Sequence, residues 1–137
     1  IPLMLDAVAG KRPALTVFGT DYPTRDGTCV RDYVHVSDLA AAHVLGLRRL
    51  LDGKGNGVFC LGTGRGFSVQ EVIEASRAVT NREVPVVLGD RRAGDAAALV
   101  SSSTLAVQEL GWDPQHSSLR QMIGDAWAWA QKPGYDG

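Results

Sequence analysis

The spacing of apolar and polar positions changes several times along this chain, and each change marks an element. Residues 2–10 predict a short helix ended near Gly10. Leu15 to Phe18 predicts a strand, followed by the turn-rich run Gly19-Thr20-Asp21-Tyr22-Pro23 and a second turn signal at Asp26-Gly27. From Val30 to Val36 (VRDYVHV) apolar and polar residues alternate, which predicts another strand. Ser37 then stands where a helix cap belongs. Val36, Leu39, Ala40, Val44, Leu47 and Leu51 recur at helical spacing and predict one apolar face, with Arg48 and Arg49 near the negative end and Gly53 as the stop.

Val58 to Leu61 (VFCL) is an unbroken apolar run, the pattern of a strand covered on both faces. Gly62-Thr63-Gly64-Arg65-Gly66 follows. Ser68 and Glu71 have the spacing of a capping box, and Phe67 and Val72 that of a hydrophobic staple, so a helix is predicted from there to about Asn81. Val84 to Leu88 predicts a strand and Gly89 to Ala98 a loop. Ser103 opens a short helix stopped by Gly111. Ser118 and Gln121 form a second capping-box pattern before a last helix, with Leu119, Met122, Ile123, Ala126, Trp129 and Ala130 on one side and Pro133-Gly134 at its end. Mixed strands and helices, without repeats, predict an α/β or α+β assembly.

Composition narrows the function classes. The 137 residues suffice for one modest domain, and 45% hydrophobic with 21% charged residues is ordinary for a globular protein. Lys and Arg number 14 against 15 Asp and Glu, for a net charge of -1, and no basic run stands out, which argues against a nucleic-acid surface. No apolar stretch approaches a membrane span, and Ile1 to Gly10 lacks a secretory leader pattern. Cys29 and Cys60 suggest no disulfide scaffold. Cys60, within an apolar run, is expected in the core, and a reducing, cytoplasmic setting fits. His35, His43 and His116 are too scattered for a metal site. The chain opens on Ile1 directly into apolar residues, which reads as the middle of a longer polypeptide.

Three groups of residues could carry chemistry. Arg31 lies in a strand pattern, and Arg92 in a Gly-containing loop with Asp95 three residues on. Arginine's planar fork bonds phosphate oxygens bidentately, so two converging arginines would suit a diphosphate. The plainer reading, preferred on composition alone, is surface ion pairing of Arg31 with Asp32 or Arg92 with Asp95. The second group is Gly62-x-Gly64-x-Gly66, with Asp90 after the next strand. It loosely imitates a dinucleotide fingerprint, but the third glycine comes one residue early, and tight packing explains it better. The third is the polar run Asp21 to Gly27, which otherwise reads as an ordered surface loop. Asp38 with His43 hints at acid–base work, but on a helix the two stand one face apart, and His43 is expected against the core. No Gly-x-Ser-x-Gly, paired-cysteine motif or Tyr-x-x-x-Lys is present.

GTDYPTRDGTCVRDYVHVSDLAAAHV (Gly19 to Val44) resembles the signature stretch of UDP-glucose 4-epimerases, members of the extended short-chain dehydrogenase/reductase superfamily. The resemblance continues through VFCLGTGRGFSVQEVI, RRAGD, ELGW and AWAWAQKPGY, covering essentially the whole chain. VRDYVHVSDLA is shared widely among nucleotide-sugar epimerases and dehydratases, whereas DYPTRDGT is more particular to the UDP-glucose/UDP-galactose enzymes.

The resemblance implies a two-domain parent. An N-terminal Rossmann-type domain would hold NAD and the catalytic tyrosine, lysine and serine or threonine. Residues 1–137 would be the C-terminal portion that grips UDP-glucose or UDP-galactose. The helix after Ser37 and the VFCL strand would pack onto the NAD domain. Carried over position by position, Arg31 and Arg92 match diphosphate-binding arginines, which reverses the preference from composition. Asp95 matches an acidic residue near the ribose, and Leu15, Thr16 and Phe18 a segment facing the uracil. Tyr33 matches a tyrosine lining the nucleotide pocket, and Leu99 a variable position near the sugar. The implied reaction interconverts UDP-glucose and UDP-galactose through a 4-keto intermediate, in an enzyme commonly homodimeric. Ala96 and Ala97 stand where proline is common, Ser102 where an acid is frequent, and Leu99 is neither bulky and aromatic nor very small, which leaves tolerance of N-acetylated sugars open. The alternatives are a non-catalytic nucleotide-sugar-binding module, or a related epimerase or dehydratase.

Overall fold

Pro2 opens the first helix, α1 (Pro2–Val8), where a missing N–H costs nothing. This computed structural model describes residues 1–132. In β1 (Leu15–Phe18) the alternation works as written: Val17 is buried and Thr16 and Phe18 face outward. β2 (Val30–Asp32) leads into the long helix α2 (Val36–Leu51). β3 (Gly66–Ser68) runs directly into α3 (Val69–Thr80), where the capping box forms in full. Ser68 Oγ accepts the Glu71 amide at 3.1 Å, and the Ser68 amide donates to Glu71 Oε2 at 2.8 Å. β4 (Val86–Gly89), β5 (Ala98–Leu99), α4 (Thr104–Leu110) and α5 (Leu119–Ala130) complete the described chain.

The result is a mixed α/β arrangement with two small sheets. β1 pairs parallel with β4. β2 is central in the other sheet, antiparallel to β3 and parallel to β5. The larger core lies between α1, α3 and α5 and the inner face of β1: Met4, Leu5, Val17, Val72, Ile73 and Ile123 are all buried there. Each such side chain stabilises the fold by about 1.5–3 kcal/mol. A smaller core gathers Ala42 of α2, Ala106 of α4 and Trp112. The segment 90–97 crosses from β4 to β5 and joins the two sheets.

Several expectations are corrected. The strand expected over Val30 to Val36 ends at Asp32, because the helix starts earlier than Ser37. His35 caps it instead: its Nδ1 accepts the Ser37 amide at 3.0 Å. The apolar stripe of α2 does not face the core; Val36, Val44, Leu47 and Leu51 are exposed, while Asp38 and Ala42 are buried. His43 is exposed too, within 2.7 Å of the Leu39 carbonyl oxygen. VFCL is not a strand among the described residues, and no neighbouring strand supplies its ladder. Phe59 and Leu61 lean on the smaller core, but Val58 is 87% exposed and Cys60 is exposed rather than core. The strand expected from Val84 begins at Val86, Val84 itself being buried.

The second capping box forms only by half. Ser118 Oγ accepts the Gln121 amide at 3.2 Å, but the Gln121 side chain turns to His116 Nδ1 at 2.9 Å. On α5, Trp129 is exposed and Trp127 packs on the core in its place. That helix ends at Ala130, before Pro133-Gly134, which lie outside the described residues. No helix among the described residues is long and apolar enough to cross a membrane.

Candidate functional site

β1 and β4 end side by side at Phe18 and Gly89, and the 90–97 segment leaves from that edge toward β5. Crevices outside strand ends are habitual ligand sites in α/β folds. Here the structure brings Arg31, Arg92 and Asp95 together. Arg92 donates from Nε to Asp95 Oδ2 at 2.9 Å, with Nη2 2.8 Å from the same oxygen. Arg31 Nη2 lies 3.7 Å from Asp95 Oδ1. Its Nη1 donates to the carbonyl oxygens of Val30 at 2.8 Å and Ala96 at 2.9 Å, which fixes its guanidinium while much of it is buried. Asp95 thus bridges the two arginines. The Arg92–Asp95 pair named from composition is present; Arg31 pairs with Asp95, not with Asp32.

Phe18 joins this group: the Arg92 guanidinium lies 4.6 Å from its ring centre, a cation–π contact. Leu99 sits opposite Arg31 in the β2–β5 register and is exposed. Thr16 is on the same outward face of β1 as Phe18. Leu15 is on the inward face, packed against the larger core. Tyr33 makes no hydrogen bond or ion pair with the arginine group that the structure shows, though Arg31 is near enough to act on its phenol. It lies past the end of β2, against the larger core, and lines a separate apolar cavity of about 530 Å³ beside Met122 and Trp129. Burial raises its phenol pKa, the nearby Cys29 adds to the rise, and Arg31 opposes it.

The Gly62–Gly66 turn is no cofactor cradle. Its amides already have an anion: Asp32 Oδ1 accepts from the Thr63 amide at 3.0 Å and the Thr63 hydroxyl at 2.7 Å, and Oδ2 from the Gly64 amide at 3.2 Å. Oδ2 also accepts the Ser101 amide at 3.2 Å. A Cβ at Gly62 would lie 2.6 Å from Asp32 Oδ2, and one at Gly66 2.4 Å from Val30 Cγ1, so these glycines serve packing. The turn opens onto β3, not a helix. These residues do not fit a dinucleotide.

Three organising carboxylates escape the sequence pattern. Asp32 is the first. Asp38, in the first turn of α2, accepts from the amides of Gln115 and His116 and from the Ser117 hydroxyl. Burial alone would raise its pKa, but these bonds outweigh burial and hold it below the usual carboxylate range. It is therefore occupied, and it makes no pair with His43. Asp26 accepts from Thr28 and Ser68 and so fixes the 21–27 run, which is an ordered loop. The only local hint of these roles is an acidic residue beside turn residues.

Residues 1–62 match the NAD dependent epimerase/dehydratase family. A UDP-glucose 4-epimerase from Corynebacterium glutamicum is 49% identical over 134 residues, 98% of this chain and 40% of that protein. The chain is homologous to the C-terminal portion of UDP-glucose 4-epimerases. The Stenotrophomonas maltophila UDP-glucose 4-epimerase, solved with NAD and formylated UDP-arabinopyranose, superimposes with a TM-score of 0.89 at 46% identity, covering 93% of this chain and 38% of that one. The Bifidobacterium longum enzyme, solved with NAD+ and UDP, gives 0.87 at 35% identity over 96% of this chain and 39% of the other. The chain spans about 40% of the length of the relatives it matches.

Proposed function

We propose that this chain is the UDP-gripping, C-terminal portion of an NAD-dependent UDP-glucose 4-epimerase, an isomerase that interconverts UDP-glucose and UDP-galactose. The observation that carries the reading is the Arg31–Asp95–Arg92 cluster beside Phe18. Two guanidiniums share one carboxylate, so the cluster keeps one unit of positive charge, and Arg92 presents it at the surface, which suits a diphosphate. Phe18 and Thr16 offer the uracil an outward face of β1, a strand paired on only one side among the described residues. Leu99, beside Arg31, would then border the sugar.

NAD, when bound by the N-terminal portion, supplies the hydride chemistry at C4 of the sugar. This chain's residues hold the part of the substrate that does not react. Firm diphosphate contacts with a loosely held sugar let the ring turn over between the two hydride transfers. The exposed α2 stripe and Val58, apolar yet unpartnered among the described residues, fit burial against that N-terminal portion, with VFCL completing its ladder there. The resemblance also implies a family in which homodimers are common, and the two free cysteines fit a reducing, cytoplasmic setting.

The test is an assay of the full-length polypeptide, supplied with NAD, for conversion of UDP-galactose to UDP-glucose. Turnover is expected from the full-length protein and none from residues 1–137. A full-length protein that binds UDP-glucose without turning it over would favour the non-catalytic module instead.

A further inference from the structure

Arg91 stands outside the arginine pair, yet it is bound on more sides than its neighbour. Its Nε donates to Asp21 Oδ1 at 2.6 Å, and its Nη2 donates to the Asp21 carbonyl oxygen. Its guanidinium lies 4.3 Å from the centre of the Tyr22 ring, and Tyr22 is itself buried. The bond from Arg91 lowers the Asp21 pKa, so the pair stays ionised. Arg92 points elsewhere, to Phe18 and Asp95. The arginine doublet therefore grips one strand-to-loop corner, Phe18 to Tyr22, at two places.

The corner is shaped to receive it. Gly19 has φ +78°, and a Cβ there would lie 2.6 Å from Arg91 Cγ and 2.7 Å from the Tyr22 ring. The Gly19 amide also donates to the Gly89 carbonyl oxygen at 2.8 Å, two residues before the doublet. Arg92, in contrast, is more than half exposed. An exposed, rotamer-rich side chain on a loop must be ordered before it can hold a ligand, and fixing the preceding residue reduces that cost.

We propose that Arg91 is a positioning residue for the anion site: it pins the 90–97 segment to the Phe18–Tyr22 corner and so sets Arg92 and Asp95 for the substrate diphosphate. This rests on the reading of Arg31 and Arg92 as the diphosphate site. Lysine is a poor substitute, because the contact uses both the fork and the planar stack.

The experiment titrates UDP by calorimetry into the NAD-loaded full-length protein and measures steady-state kinetics with UDP-galactose. The variants are Arg91→Ala, Arg91→Lys, Asp21→Ala and Arg92→Ala. Arg91→Ala should weaken UDP binding about five- to tenfold and raise KM by a like factor, with kcat within about twofold of wild type. Asp21→Ala should move affinity the same way, and Arg91→Lys should recover only part of it. Should Arg92→Ala weaken UDP binding while Arg91→Ala and Arg91→Lys leave it unchanged, this inference fails and the site reading stands. A fall in kcat or thermal stability with unchanged UDP affinity marks a merely structural strut and also overturns it. Unchanged UDP affinity in Arg92→Ala overturns the site reading and this inference together.

Discussion

Trp112→Ala is expected to destabilise the protein by about 3–5 kcal/mol, the range for truncating a fully buried aromatic. Trp112 is 1% exposed and is the largest member of the smaller core, which it forms with Ala42 and Ala106 and against which Leu45, Phe59 and Leu61 pack. Its Nε1 donates to the Asp38 carbonyl oxygen at 2.8 Å. The substitution removes that bond and opens a cavity where α2, α4 and the VFCL segment meet. Trp112→Phe keeps a ring but loses the N–H, so a loss of about 1–2 kcal/mol beyond repacking is expected. Denaturant unfolding measures both. A loss below about 1 kcal/mol for Trp112→Ala would show that the smaller core does not hold α2 in place.

Arg92→Ala should lower UDP affinity by about 1.5–3 kcal/mol, the range for a hydrogen bond to a charged group, or roughly 10- to 150-fold. Removing Arg92 leaves Arg31 neutralised by Asp95, so the cluster loses its surplus positive charge. Arg92→Lys keeps the charge without the fork or the stack on Phe18 and should fall between. Calorimetric titration of the full-length protein with UDP measures this. A change below about twofold would contradict the assignment of Arg92.

What was legible in the sequence was what depends on nearby residues. The α3 start could be read because Phe67, Ser68, Glu71 and Val72 signal within one turn, and its capping box forms as read. β1 could be read because four residues suffice for alternation. β3 and β5 could not, because three and two residues carry no period and exist as strands only by pairing with β2. Val58 and Cys60 of VFCL and most of the α2 stripe read as buried and are exposed among the described residues, since pattern reports that a surface is apolar and not what covers it.

The site was legible chiefly through the resemblance. Arg92 with Asp95 reads as an ion pair on spacing alone, and the pair is there. What spacing does not give is that Arg31 shares the same carboxylate from the far side of the chain, or that Phe18 lies under Arg92. Arg91 gave no signal, because its partner Asp21 is 70 residues away. Tyr33, two residues past Arg31, would share its face in a continuous strand; β2 ends between them, and Tyr33 turns to the larger core.

The most direct test of the account is a structure of the full-length protein with NAD and UDP bound. The account predicts diphosphate oxygens within about 2.7–3.2 Å of the Arg31 and Arg92 guanidiniums, with the uracil beside Thr16 and Phe18. UDP bound elsewhere, with the Arg31–Asp95–Arg92 cluster unchanged, would contradict it.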